Sequence, residues 1–392
     1  MVKIGRIVIF LCCVLNSGSS AGVGESAVST LVFPFGARSG GMGEVGTALA
    51  DDESALYFNP AGLGVPNERW QWGAVSYYHE PLLRNLGIRD LAHYSFSGYF
   101  QPPPDTRIGG FGAYYNHYKM GRNLLSDALG NSIKFVNSWE GVFALGWGFN
   151  LKCLGDSSRH YGIAIKPFIS ALAPGLGEHG EGTARGIAVD IGLLRLFRNG
   201  LRFGFTMMNM GQCVYYIKRS ASDPIPFSIN WALGYKKNFY KNNIRLLDVA
   251  GELRCSKELV INNFDGKPDP FYKAMFRDLF NDPLSYELQE IVYQAGIEIG
   301  FLETVFYRHG FTFDCFADRN EMTMGGGLRI FRHLNADYSI IISPEGFMKP
   351  AVRRMDKDMD GTTGLHHLQW RLNFTFTGIG KFKRSDLAWW TK

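Results

Sequence analysis

The chain has 392 residues, with 41 basic and 36 acidic side chains and a formal net charge of +5, too small an excess to indicate a nucleic-acid partner. Its 47 glycines and 14% aromatic content are unusual for a helical or α/β enzyme and normal for a membrane β-barrel. In such a barrel apolar side chains alternate with small or polar ones instead of forming long runs.

The N-terminus has the pattern of a secretory signal. Lys3 and Arg6 precede an apolar run from Ile7 to Leu15, and small or polar residues then lead to Ala21. The run is far shorter than the roughly 20 apolar residues of a membrane-spanning helix. The sequence therefore predicts an exported protein whose residues 1–21 are removed as a signal peptide.

The next stretch, from Gly36 to Gly64, is the part of the chain richest in glycine and other small residues. It contains a G-x-G-x-x-G pattern that begins at Gly41. A dinucleotide-binding loop needs a strand directly before this pattern and an uninterrupted helix after it. Pro34 breaks the preceding apolar run and Asn59 begins an Asn-Pro pair in the following segment, so this reading is disfavoured. A flexible linker and a compact plug inside a larger structure remain.

From Arg69 to about Gly378 the sequence alternates with a period of two. One example runs through Phe143 and Leu145, which share a face, while the intervening Ala144 is small. This period predicts strands, about fourteen in all.

The connections between these segments distinguish a barrel from a soluble sandwich, in which the large apolar face would be the core. Every second connection is short, such as the two-residue turn at Leu302, and the others are long, such as Gly121 to Ser138 and Ser256 to Ile291. Greek-key crossings would not give this alternation. The sequence predicts an all-β fold: a transmembrane antiparallel up-and-down β-barrel at residues 69–378, followed by a tail at residues 379–392.

Four short motifs carry a resemblance to a known family: Gly36-Ala37-Arg38, Gly41-Met42-Gly43, Ala50-Asp51-Asp52 and Asn59-Pro60-Ala61. Together they resemble the N-terminal hatch of the FadL superfamily of outer-membrane transporters. Lighter similarities, such as Asn209-Met210-Gly211 at the end of a strand, are closest to the branch of PorV-like proteins and related spirochaete proteins. The resemblance implies that residues 22–68 form a hatch, or plug, in the barrel lumen.

The resemblance also implies a function, namely uptake of long-chain fatty acids or other hydrophobic molecules across the outer membrane through rearrangement of the hatch. Membrane lipid and a hydrophobic ligand would be its partners. The alternative is a PorV-like component of a protein secretion or surface-attachment apparatus, with a protein partner. The implied hatch and transport residues are Gly41, Gly43, Gly46, Asp51, Asp52, Asn59, Pro60 and Ala61.

Other candidate chemistry is limited. Polar residues at lumen-facing strand positions include Asp190, Arg202, Glu298 and Arg371, and no nucleophile, base and orienting group can be placed together from sequence, so we expect no enzyme. No cofactor is expected except a structural calcium ion. The calcium candidates are Asp356, Asp358 and Asp360, which have the spacing of a calcium loop but lack its closing Glu, so a solvated acidic loop is the alternative.

Overall fold

The computed structural model describes residues 26–67, 73–82, 90–102, 108–126, 131–150, 158–176, 181–218, 221–260, 268–277, 283–317, 319–330, 333–342 and 368–377. The predicted signal peptide at residues 1–21, the predicted tail at residues 379–392 and the calcium candidates Asp356, Asp358 and Asp360 lie outside these ranges.

Fourteen strands form one closed antiparallel barrel, in which each strand pairs with its neighbours along the chain. The first barrel strand, β1 (Ala74–Pro81), pairs with the last, β16 (Leu368–Thr377), from Ala74 opposite Thr377 to His79 opposite Leu372. Closure leaves no unpaired sheet edge, as a structure surrounded by lipid requires. The prediction of a fourteen-stranded up-and-down barrel is confirmed.

The barrel strands are β1 (Ala74–Pro81), β2 (Leu91–Phe100), β3 (Gly110–Ser126), β4 (Ser132–Asn150), β5 (Arg159–Leu176), β6 (Glu181–Leu196), β7 (Leu201–Gly211), β10 (Ser228–Lys241), β11 (Ile244–Glu258), β12 (Val292–Phe301), β13 (Val305–Asp314), β14 (Arg319–Ile330), β15 (Leu334–Ile342) and β16 (Leu368–Thr377). Two short strands, β8 (Val214–Tyr215) and β9 (Ser222–Asp223), form a separate hairpin between β7 and β10.

The strand alternation separates an apolar exterior from a small and polar interior. On β4, Leu145 is 55% exposed, whereas its neighbour Ala144 is completely buried. Inward positions on other strands hold fully buried polar residues such as Thr206 and Asn230. Large apolar side chains that point away from the interior around a closed barrel form a surface suited to lipid.

The two ends of the barrel have different connections. At one end, Asn242 and Asn243 both have positive φ, as do Leu302 and Glu303, so these hairpins turn within two residues in the left-handed region. We call this the tight-turn end. The opposite end, the long-connection end, carries the β8–β9 hairpin and the short helices Phe271–Arg277 and Leu284–Glu287.

One predicted connection is wrong. The stretch from Gly121 to Ser138 was expected to be a loop, but β3 continues to Ser126 and β4 begins at Ser132. Arg122 pairs with Asn137 in this extension. The register of the two strands shifts between Lys119 and Arg122 and again between Leu125 and Ser126, so bulges interrupt the sequence alternation while the backbone pairing continues.

The described helices are short, and none of them is long and apolar enough to cross a membrane. Four lie before the barrel: α-helices at Ala37–Gly41 and Ala55–Phe58, and 3₁₀ helices at Ser29–Leu31 and Pro60–Gly64. The last begins where the Asn59 side chain accepts a hydrogen bond from the backbone N–H of Ala61, with proline at its first position.

Candidate functional site

Residues 26–67, which we call the N-terminal segment, run inside the ring of strands from one end to the other. At the long-connection end the N–H of Ala27 donates to the carbonyl of Pro224. At the tight-turn end the N–H of Asn67 donates to Gln101 Oε1 at 2.7 Å. Between these points most side chains of the segment are buried. The segment therefore lines or fills the lumen over the height of the barrel.

Glycines on the inner wall allow the segment to approach closely. A Cβ added to Gly310 would lie 2.2 Å from the backbone nitrogen of Gly43, and one added to Gly162 would lie 2.2 Å from that of Ala61. These positions have no room for a side chain. The small face of the alternating strands is thus the surface on which the segment's backbone packs.

A single wall carboxylate holds one loop of the segment. Glu252, on β11, accepts hydrogen bonds from four successive backbone N–H groups, those of Gly46 at 3.0 Å, Thr47 at 2.7 Å, Ala48 at 3.1 Å and Leu49 at 2.8 Å. Successive N–H groups that converge on one anion form a strong site for negative charge. This contact fixes the loop that follows the G-x-G-x-x-G pattern.

Arg38 links two acidic residues of the segment to the wall. Its guanidinium donates to Asp51 at 2.7 Å, to Asp52 at 2.9 Å and, through two nitrogens, to Glu298 on β12 at 2.8 Å. Arg308 on β13 donates to the same Glu298 at 2.7 Å. The bidentate geometry fixes both distance and orientation, so Arg38 positions the Asp51–Asp52 turn against the wall.

Asp51 carries a second set of contacts. Lys236 on β10 bonds to its carboxylate, and Arg202 on β7 lies 3.6 Å from it. Burial alone would raise the pKa of Asp51, but Lys236, Arg38 and Arg202 together hold that pKa well below its usual range. Asp51 is therefore a charged tether between the segment and the wall.

Glu44 lies between two wall arginines. Arg319 donates to it at 2.8 Å and Arg371 at 2.7 Å. Burial opposes the charged form, yet the two arginines outweigh it and lower the pKa of Glu44 to about 2. Arg371 also donates to Glu80 on β1 at 2.6 Å. The predicted lumen residue Arg371 thus joins the segment to the strands that close the barrel.

Glu53 is the opposite case among the segment's carboxyl groups. It is buried, and Asn373 on β16 donates to it at 2.9 Å. Burial raises its pKa well above the usual value, and the nearby charges of Asp52 and Asp337 raise it further. The fold favours Glu53 as a neutral acid.

The Asn59-Pro60-Ala61 motif lies within the segment and contacts β6. The Asn59 amide donates to the carbonyls of Thr47 at 2.8 Å and Leu193 at 3.1 Å, and its oxygen accepts from Ala61 at 3.0 Å. Asparagine supplies the donors and the acceptor that this geometry uses. The structure places the motif as a bridge between two parts of the segment and the wall, and not as a turn leading directly into the first strand.

The three glycines among the predicted hatch residues lie in close contacts. A Cβ on Gly41 would meet the Gly325 backbone at 2.9 Å, one on Gly43 would meet Phe311 at 2.7 Å, and one on Gly46 would meet the Phe58 ring at 2.6 Å. Gly43 also has a φ of 73°, which favours glycine. These close contacts explain why glycine occupies the three positions. Their role in a rearrangement of the hatch stays a prediction.

The remaining lumen candidates lie on neighbouring strands. Asp190 forms a fully buried ion pair with Lys166 at 2.7 Å and accepts from the backbone N–H of Asn209 at 2.7 Å. Arg202 donates to the carbonyl of Leu49 at 3.0 Å. Three of the four predicted lumen residues, Arg202, Glu298 and Arg371, are thus brought to the segment, while Asp190 pairs within the wall.

Sequence reasoning missed the contacts of Glu252 and Glu44. The signal for Glu252 was its acidic side chain at an inward strand position, opposite a loop rich in small residues. The signal for Glu44 was an acid inside the glycine pattern. Among the described residues, no group of three or more His, Cys, Asp or Glu side chains is arranged to hold a metal ion.

Comparison with known proteins finds matches only at the level of the fold. No family model and no curated protein matches the chain. The structure of the P. putida toluene transporter TodX matches with a TM-score of 0.50 and 11% identity, over 88% of this chain and 98% of TodX. The structure of the Ralstonia pickettii toluene transporter TbuX matches with a TM-score of 0.47 and 12% identity, over 88% of this chain and 98% of TbuX. A Pseudomonas aeruginosa FadL homologue matches with a TM-score of 0.46 and 9% identity, over 88% of this chain and 99% of the homologue.

The match to TodX extends over nearly all of TodX and over most of this chain. At 11% identity this likeness concerns architecture alone. This chain has the barrel fold that its resemblance to the FadL superfamily implies. It shares that fold with the toluene transporter TodX.

Proposed function

We propose that this protein is an outer-membrane transporter of the FadL superfamily that takes up hydrophobic small molecules. Long-chain fatty acids are one member of that class. The observation that carries the proposal is a lipid-suited barrel whose lumen contains a segment tied to the wall through Glu252, Arg38, Asp51 and Glu44. Because the strands are paired with each other in a closed barrel, the segment can detach without unfolding them.

The domain arrangement follows from the same proposal. Residues 1–21 are the signal peptide that directs export, residues 22–68 the hatch, residues 69–378 the outer-membrane barrel and residues 379–392 a C-terminal tail. In this arrangement the hatch closes the lumen to water while a hydrophobic molecule is bound beside it. Movement of the hatch then opens a path.

The fold comparison supports the class of cargo. TodX and TbuX are named as toluene transporters, and small apolar molecules cross a water-filled pore poorly because they gain nothing by leaving an apolar phase for water. A barrel with an internal segment offers surfaces that such a molecule can follow. Buried carboxylates engaged in structural contacts support transport over catalysis.

The test uses the full-length protein, first in the outer-membrane fraction and then purified into lipid vesicles. We expect heat-modifiable migration on gels, as for a folded membrane barrel, and saturable binding and uptake of toluene. A protein that is found soluble in the periplasm would overturn the proposal. A barrel that binds no hydrophobic probe but co-purifies with a stable protein partner would favour the PorV-like assembly role instead.

A further inference from the structure

A group of three neighbouring side chains on the inner face of β2 and β3 is almost completely buried and contains polar atoms that make no hydrogen bond. His93, Ser95 and Asn116 are each 1% exposed. Within the described part of the chain, both ring nitrogens of His93, the Ser95 hydroxyl and both amide atoms of Asn116 make no hydrogen bond. We call these three residues the polar wall. Buried polar groups are usually paired, and leaving them unpaired costs free energy.

The strand register makes the polar wall a continuous surface. Ser95 lies opposite Asn116 on β3 and opposite Tyr78 on β1. His93 lies opposite Tyr118 on β3. Hydroxyl, amide and imidazole groups are therefore adjacent, and tyrosine rings border them. Such a surface offers donors and acceptors together with apolar contact area.

Two aromatic rings of the N-terminal segment cover the polar wall. The Phe33 ring lies 5.0 Å from that of Tyr118 and 6.3 Å from that of His93. The Phe35 ring lies 5.1 Å from that of Tyr114. A phenyl ring provides no partner for an amide or a hydroxyl group. The covered state is therefore chemically mismatched at this place.

The covering stretch, residues 32–36, has few hydrogen bonds of its own. Among the described residues, the N–H of Val32 donates to Ser29 at one end, and Phe35 and Gly36 accept from Ser39 and Gly40 at the other. Val32 is 37% exposed, so this edge of the segment is open to an arriving molecule. Aromatic contacts hold it in place, and an apolar ligand can replace such contacts.

The charges beside the polar wall disfavour an anionic ligand. The row of inward residues through His93 and Tyr118 ends in Glu80 on one side and Glu140 on the other. Glu80 is paired with Arg371 at 2.6 Å and lies 3.7 Å from His93, so an anionic ligand would meet an imidazole that already has a carboxylate beside it. Glu140 accepts hydrogen bonds from the uncharged hydroxyls of Thr30 and Ser170.

We infer that the polar wall binds the uncharged hydroxyl group of a hydrophobic cargo molecule, whose apolar body displaces Phe33 and Phe35. This inference rests on the proposed function and narrows its cargo. A hydroxyl both donates and accepts, so it pairs with Ser95 and with either atom of the Asn116 amide. A carboxylate only accepts, and at this position it would add negative charge beside the neighbouring row of residues, which contains Glu80 and Glu140.

The experiment measures equilibrium binding of decanol, decanoate and toluene to the purified full-length protein in lipid nanodiscs, at a mildly alkaline pH where decanoate is ionised. The double variant Ser95→Ala/Asn116→Leu removes the hydroxyl and amide at nearly constant shape. Ser76→Ala is the matched control, because this buried serine faces the same lumen but its hydroxyl already bonds to Asn373 and Phe374. Heat-modifiable migration checks the folding of every variant.

We expect wild-type protein to bind decanol at least about tenfold more tightly than decanoate, and the double variant to lose about tenfold in decanol affinity with toluene binding unchanged. Ser76→Ala should bind decanol like the wild type. Decanoate binding as tight as decanol binding would overturn the inference even if the double variant did not fold. The inference would also be overturned if the double variant bound toluene and its affinity for decanol were unaltered. Absence of binding for all three probes would overturn the proposed function itself.

Discussion

At the scale of single residues, the N-terminal segment is held by charges whose environments differ sharply. Glu252 is satisfied by backbone N–H groups, Glu44 by two arginines and Glu53 by one amide. Between its two arginines Glu44 is stabilised as an anion, whereas burial and the neighbouring acids stabilise Glu53 in the neutral form. The same residue type therefore tethers the segment at one position and weakens its attachment at another when ionised.

The Glu252 contact predicts a graded loss of attachment. Glu252→Ala leaves the N–H groups of Gly46, Thr47, Ala48 and Leu49 without their acceptor, which should cost roughly 3 to 5 kcal/mol of local stability. Hydrogen exchange at these amides should quicken by at least about a hundredfold, since each 1.4 kcal/mol is about a factor of ten. Glu252→Gln keeps one acceptor oxygen, so its rate of hydrogen exchange at these amides should lie between those of the wild type and the alanine variant. Unchanged protection in the alanine variant would contradict the assignment.

Glu53 predicts a stabilising substitution that depends on pH. Its pKa is raised by burial and then by Asp52 and Asp337, so ionisation costs stability once the pH exceeds the unfolded pKa of about 4.3. Glu53→Gln reproduces the neutral acid and keeps an acceptor for Asn373. The urea midpoint of the variant should exceed that of the wild type at neutral pH, and the difference should close as the pH falls to about 4.

Glu44 is the matched comparison with the opposite sign. Its pKa is lowered to about 2, so its charge stabilises the folded state above the unfolded pKa, and this contribution is lost as the pH falls from about 4.5 towards 2. At neutral pH, Glu44→Gln should lower the free energy of unfolding by roughly 3 kcal/mol, and the urea midpoint should fall with it. The deficit should shrink in acid. Two glutamine variants that shift in the same direction at neutral pH would refute the assignment of these environments.

At the scale of elements, the alternation of large with small residues identifies the strands and the sides they present. Asn242 and Asn243 are also readable as a tight turn, because asparagine tolerates the left-handed region. The height of the β3–β4 hairpin was not predictable, since two register shifts interrupt the alternation in its upper part. Nor was the partner of Glu252, which depends on how the segment is threaded through the closed barrel and not on any local pattern.

The wall glycines give a prediction for this packing. Gly310→Ala places a Cβ 2.2 Å from the Gly43 nitrogen, so the segment should be pushed away from β13. Gly326→Ala, on the adjacent β14, is the control, because its Cβ has no neighbour nearer than 3.9 Å. We expect amide protection at residues 41–46 to drop only in the Gly310 variant, while both proteins keep heat-modifiable migration. Equal protection in the two variants would show that close approach at Gly310 is not required.

At the scale of the whole molecule, the closed barrel and the segment form two mechanically distinct parts. The strands are joined to each other by continuous ladders of backbone hydrogen bonds. The segment is joined to them by polar tethers, by close backbone contacts and by one shared hydrophobic cluster, in which Phe35 and Leu56 of the segment pack with wall residues such as Tyr114. If the segment detaches as the proposed function requires, these contacts break and none of the ladders does, so the barrier to opening would be set by the contacts of the segment and not by the barrel strands.

A reversible cross-link between the two parts tests this separation. The Cβ of Ala48 lies 3.1 Å from the position of a Cβ added to Gly234 on β10, close to the roughly 3.5–4.5 Å of a disulfide. The double variant Ala48→Cys/Gly234→Cys should therefore link the segment to the wall when oxidised. We expect toluene uptake into vesicles to stop in the oxidised protein and to return on reduction. The two single-cysteine variants keep the native thiols and should transport in both redox states, which controls for Cys213 and Cys255. Uptake that continues at the wild-type rate in the oxidised double variant would show that cargo passes without moving this loop.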